Sequence, residues 1–82
     1  MNVSARLYGI TVPLEIAVDG GRVVGVSAPR AKETYQRVVD SVGKQIAGGK
    51  TLLELLHRNA EIGDLLRALL DVEEAQRGEK AA

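Results

Sequence analysis

The chain predicts an α+β fold, with a three-stranded antiparallel sheet in its N-terminal part packed on one face by two or three C-terminal helices. Three observations lead there. Apolar residues alternate with polar ones as far as Ala28, recur at helical spacing after Pro29, and are divided by glycine punctuation at Gly20-Gly21 and Gly48-Gly49.

The first strand is read from Val3, Ala5 and Leu7, which alternate with Ser4, Arg6 and Tyr8. The second is read from Leu14, Ile16 and Val18, and the third runs from Arg22 to about Ala28. Residues paired across two strands share a face, so the hairpin between the second and third strands has a parity. A two-residue turn at Gly20-Gly21 pairs Ile16 with Gly25 and Glu15 with Val26, which mixes the faces. A loop of three residues, Asp19 to Gly21, pairs Val18 with Arg22, Ile16 with Val24 and Leu14 with Val26. The three-residue loop is therefore predicted, with Gly21 in the left-handed conformation.

Beyond Pro29, Tyr35, Val38, Val39, Val42 and Ile46 form one apolar stripe, which predicts a helix over 30–47. Gly48-Gly49 ends it, and Thr51 with Glu54 three residues later reads as the capping box of a new helix. The leucine-rich remainder is expected to kink or break near residues 57–60, with Asn59 as an N-cap and Gly63 as a weak point. Acid-before-base pairs at Glu33/Arg37, Asp40/Lys44, Glu54/Arg58 and Glu73/Arg77 mark solvated helix faces. Residues 1–77 are expected to form one domain and residues 78–82 a flexible tail.

Composition excludes several functions. Eleven basic and eleven acidic residues cancel, and there is no Phe or Trp and only Tyr8 and Tyr35, so neither the charge nor the stacking surface for nucleic acid is expected. The absence of cysteine removes disulfides, thiolate catalysis and thiolate metal sites. No stretch approaches the ~20 apolar residues of a membrane span. The N-terminal segment carries Arg6 within an alternating pattern rather than a signal peptide's apolar run. A soluble, cytoplasmic protein without membrane or nucleic-acid partners is the expectation.

Gly48-Gly49-Lys50-Thr51 imitates a phosphate loop, but that loop requires Gly, four spacers and Gly-Lys-Thr, and counting back from Gly49 finds Lys44. A phosphate loop also follows a strand, whereas this run follows a helix. A weaker anion site survives at Gly49, Lys50 and Thr51, where a helix start offers backbone amides beside a lysine. His57 is the single histidine; with Glu54 one turn away it supplies two ligands where a structural zinc needs four, so it reads as a surface residue. Ser4, Ser27 and Ser41 have no base and orienting partner apart from that histidine, and Asp19 and Asp64 have no neighbouring carboxylate. No enzyme, cofactor or metal is expected. Leu65, Leu66, Leu69 and Leu70 exceed what a small sheet is expected to cover and are the candidate interface.

The stretches Leu14-Glu15-Ile16-Ala17-Val18-Asp19-Gly20-Gly21-Arg22-Val23 and Gly48-Gly49-Lys50-Thr51-Leu52-Leu53-Glu54, with the charged segment from Asp71 to Gly78, resemble the NifU/IscU-type iron–sulfur cluster scaffold proteins. The resemblance implies a small sheet with helices packed on it. It also implies ligand cysteines at three places, which here read Gly9 to Pro13, Ala28-Pro29-Arg30-Ala31 and His57-Arg58-Asn59. With those cysteines missing, the resemblance implies a scaffold that holds no cluster. The leading expectation is a non-enzymatic interaction module, either a homo-oligomer or an accessory subunit bound to a protein partner. The alternative is a small anion- or nucleotide-binding protein using the Gly48–Thr51 corner.

Overall fold

A computed structural model describes residues 1–81, with side chains as far as Gly78. The elements run β1 (Asn2–Leu7), β2 (Ile10–Asp19), β3 (Arg22–Ser27), α1 (Glu33–Ala47), α2 (Leu52–Arg58), a 3₁₀ turn (Ala60–Ile62) and α3 (Gly63–Ala81). The antiparallel sheet has the order β1-β2-β3 and the helices follow it in sequence, an α+β fold as expected. α1 packs against β3, while α3 lies against both β1 and β3 and carries α2 beside it. α3 continues through the positions where a tail is expected from Gly78; Ala82 lies outside the described residues.

The first hairpin turns on Tyr8 and Gly9, both with positive φ, and pairs Leu7 with Ile10. Tyr8 at φ 54° accepts a conformation that is costly for a side chain bearing Cβ, as a two-residue turn of this hand demands. Met1 and Ile16 exchange both backbone hydrogen bonds, at 2.8 and 3.1 Å. Such pairs recur at every second position, so Val3/Leu14, Ala5/Val12 and Leu7/Ile10 carry the ladder, and the polar groups of Asn2, Ser4 and Arg6 point away from β2. On the same alternation, the missing N–H of Pro13 faces the β3 side of β2. Since β3 stops at Ser27, opposite Glu15, no ladder bond is lost there.

The second hairpin corrects the expected loop. It holds two residues, not three: Asp19 pairs with Arg22 and Val18 with Val23, and Gly20 and Gly21 have φ of 61° and 80°. Gly21 is left-handed as expected, but so is Gly20, the signature of a type I′ turn. The parity conflict is removed by a β-bulge. Ala17 pairs with Gly25, leaving Val24 as an extra residue, and Ile16 then meets Val26 on the buried face. Val24 is turned out of the sheet and remains 46% exposed.

α1 begins at Glu33, three residues later than the spacing suggests. The intervening segment is a turn in which the Ala31 amide donates to the Ala28 carbonyl at 3.1 Å. Gln36 reinforces it by donating its side-chain amide to the carbonyls of Ala31 at 2.8 Å and Pro29 at 3.1 Å. Val39 and Val42 are buried, while Tyr35, Val38 and Ile46 flank them half-buried. The chain breaks at Asn59, inside the expected interval, but Asn59 works backwards. Its side-chain amide donates to the Leu55 carbonyl at 3.0 Å, closing α2; it holds the expected N-cap position, of the 3₁₀ turn, where its carbonyl accepts the Ile62 amide at 3.1 Å but its side chain makes no cap bond. Of the four acid–base pairs, Glu33/Arg37 closes to 3.0 Å and Glu73/Arg77 to 3.9 Å among the described residues.

One core joins the sheet and the helices, made of Leu7, Val12, Leu14, Ile16, Val39, Leu55 and their neighbours, with no polar residue buried among the described residues. Leu65, Leu66 and Leu69 belong to it and are fully enclosed. Burial of each stabilises the fold by about 1.5–3 kcal/mol, and the sheet together with α2 and the 3₁₀ turn against which α3 packs is large enough to cover them. Three of the four leucines expected at an interface are therefore core.

α1 approaches β3 closely at Gly43. A Cβ there would lie 2.8 Å from the Val26 carbonyl oxygen and 3.7 Å from the Val26 nitrogen. Because the obstructing atoms are backbone, Gly43→Ala is expected to destabilise the fold by about 1–3 kcal/mol, outweighing the gain in helix propensity. Urea denaturation measures it; an unchanged or raised midpoint would show that the helix can lift off the strand without cost.

Candidate functional site

Gly48, Gly49 and Lys50 form a helix stop built from backbone hydrogen bonds. The Gly48 amide donates to Lys44 at 3.0 Å, that of Gly49 to Ile46 at 3.0 Å and that of Lys50 to Gln45 at 3.1 Å. With Gly49 at φ 99°, this is the Schellman arrangement. The amides that a phosphate loop would turn toward a ligand are thus given to the carbonyl end of α1. Thr51 then caps α2: its hydroxyl oxygen accepts from the Glu54 amide at 3.2 Å, and the Leu55 amide donates to its carbonyl at 3.1 Å. Lys50 is half-buried at the corner and Thr51 is exposed.

This corner faces the tip of the second hairpin across a groove of about 830 Å³. Val23, Ile46, Leu52 and Leu70 line its apolar part, and Val24 and Leu53 stand exposed on it, at 46% and 60%. Arg22 and Lys50, which make no ion pair among the described residues, and Asp19, Glu73 and Arg77 supply its polar rim. Leu70 is the one interface candidate that reaches the groove, half-buried.

Glu73 fixes this geometry. Its carboxylate accepts the Val23 amide of β3 at 2.8 Å, a bond between residues 50 positions apart, and its other oxygen lies 3.9 Å from the Arg77 guanidinium. The Arg77 stem packs over Gly21, where a Cβ would meet its Cγ at 3.5 Å. One turn of α3 therefore clasps the hairpin by its backbone. Sequence spacing identifies Glu73/Arg77 only as a local pair, since nothing in the sequence shows that Glu73 reaches β3. Val24 is missed for a related reason: its exposure depends on a bulge that the alternating pattern does not mark.

His57 is exposed near the end of α2 on the same helix as Glu54. Among the described residues no group of three or more His, Asp or Glu side chains is placed to hold a metal ion. No helix among them is long and apolar enough to cross a membrane. Comparison with protein-family models, curated proteins and solved structures finds no match to this chain.

The Glu73 bond is charge-assisted and mostly shielded from water, the Glu73 side chain being 12% exposed. Glu73→Ala leaves the Val23 amide without its partner and is expected to cost about 1–3 kcal/mol, whereas Glu73→Gln keeps an acceptor oxygen and costs less. Denaturation of both variants, with hydrogen exchange at the Val23 amide, gives the comparison; equal losses in the two would show that the acceptor oxygen kept by Gln recovers nothing, and no loss in either would show that the bond contributes little.

Proposed function

We propose that this protein is a non-enzymatic interaction module, a scaffold-like accessory subunit or homo-oligomer without a cluster or metal of its own, and that the groove between the hairpin tip and the Gly48–Thr51 corner receives a protein partner. The observation that carries the reading is the placing of Val24 and Leu53, both large, apolar and exposed, on one groove with Leu70 between charged rims. An apolar centre with a polar border is the usual anatomy of a protein interface. The scaffold-like part of the proposal rests on the NifU/IscU-type resemblance, and the missing cysteines are the reason it includes no cluster.

Anion binding at Gly49, Lys50 and Thr51 is the second reading. It is supported by the presence of Lys50, Arg22 and Arg77 on the same groove. The commitment of the Gly48, Gly49 and Lys50 amides to α1 weighs against it.

A pull-down from the native source with the wild-type chain, repeated with Leu53→Glu and Val24→Glu, tests the first reading. Both substitutions fall at exposed positions and are expected to leave the fold intact by circular dichroism while reducing recovery of a discrete partner at least tenfold. A partner retained equally by all three proteins would move the interface elsewhere. Titration calorimetry with inorganic phosphate and nucleotides separates the second reading: no binding heat is expected, and binding that disappears in Lys50→Ala would favour it over the first.

A further inference from the structure

The two edges of the sheet differ. On β3 the outward-facing Val23 amide is held by Glu73, and the outward carbonyl of Val26 lies under α1 at Gly43. The bulge at Val24 further breaks the regular ladder of that edge. On β1 the backbone groups of Asn2, Ser4 and Arg6 point away from β2, these residues are exposed, and the strand contains neither proline nor bulge.

We propose that the protein self-associates through the β1 edge, a second copy adding its β1 antiparallel to the first to make one continuous six-stranded sheet. The proposal rests on the reading of this chain as an interaction module and names the surface and register of its homo-oligomeric form. The register follows from the phase of the existing ladder. Asn2, Ser4 and Arg6 offer the free groups, and the two-fold register that uses all three places Ser4 opposite the second copy's Ser4, and Asn2 opposite its Arg6. That gives about six inter-chain backbone hydrogen bonds, two for each of the three pairs. On the buried face, half-buried Val3 falls opposite the second copy's Ala5, extending cover over the flank of the core.

Charge agrees with the register. Asn2 already lies opposite Glu15 on β2, so the pairing puts Arg6 of each copy and Glu15 of the other in one cross-strand row on the same exposed face, with the short Asn2 side chain between them. Within one chain neither Arg6 nor Glu15 forms an ion pair among the described residues. The two arginines sit at opposite ends of the paired strands, not against each other, so the edge is complementary to itself.

Sedimentation or light scattering at micromolar concentration is expected to find a dimer. Ser4→Pro removes an N–H that no partner uses within the single chain, in an edge position where proline is tolerated, and is expected to give a folded monomer. Arg6→Glu is expected to weaken the dimer roughly tenfold, and the exchange Arg6→Glu with Glu15→Arg to restore it to within a few-fold. Val24→Glu and Leu53→Glu should leave the dimer intact, so failure at the groove and failure at the edge are read separately. A wild-type monomer overturns the proposal, as does a folded Ser4→Pro variant that still dimerises. Should Ser4→Pro not fold, the charge exchange decides: no rescue in the double variant overturns the register.

Discussion

The structure depends on a phase correction in β3. Side chains alternate along a strand, so once Val12, Leu14 and Ile16 commit β2 to one buried face, its partner must arrive in step. The two-glycine turn sets Val23 against Val18 but, continued without interruption, would bring Gly25 rather than Val26 opposite Ile16, and one extra residue at Val24 restores the match. Everything packed on that side inherits the correction. Val26 enters the core and its backbone becomes the surface on which Gly43 of α1 rests, while on the turn side of the bulge the Val23 amide faces outward, where Glu73 collects it. Val24, as the inserted residue, becomes the exposed apolar side chain that gives the groove its character.

Much of the architecture is legible in the sequence because it is locally encoded. Alternation in Val3–Leu7 and Leu14–Val18, the helical stripe from Tyr35 to Ile46, and the Thr51 cap each require only near neighbours. The features that escape a sequence reading depend on distant partners. Pro13 argues against a long strand unless one knows that β3 ends at Ser27, and parity argues for a three-residue loop unless a bulge is allowed. The same holds for the candidate site. Lys50 and Thr51 are found from their motif, but the groove they share with Val24, Leu53 and Glu73 exists only after the hairpin has been laid against the helical corner.

The Gly48–Thr51 corner illustrates how one short composition serves two opposite purposes. Glycines free the backbone to present consecutive amides, and in a phosphate loop those amides converge on a ligand. Here they turn back onto the carbonyls of Lys44, Gln45 and Ile46, so the chain is its own acceptor. The difference lies in what precedes the glycines. A strand leaves no carbonyl bouquet to satisfy, whereas a helix ends with one. The lysine and threonine then stand at a bend whose value is geometric, because it sets the start of α2 and leaves Leu53 uncovered.

Glu73 has a further consequence, in time. A chain emerging from the ribosome presents its N-terminal segments first. The β2–β3 hairpin and α1 can form before Glu73 is made, and until then the β3 edge carries an unclaimed amide at Val23 beside the part that α1 covers. Protection of that amide is deferred until the last helix has been synthesised and docked. A truncated or stalled chain ending before Glu73 would retain the pleated hairpin while missing the clasp, and so would be the form most inclined to recruit a foreign strand. The C-terminal helix therefore also acts as a late lock on an early sheet.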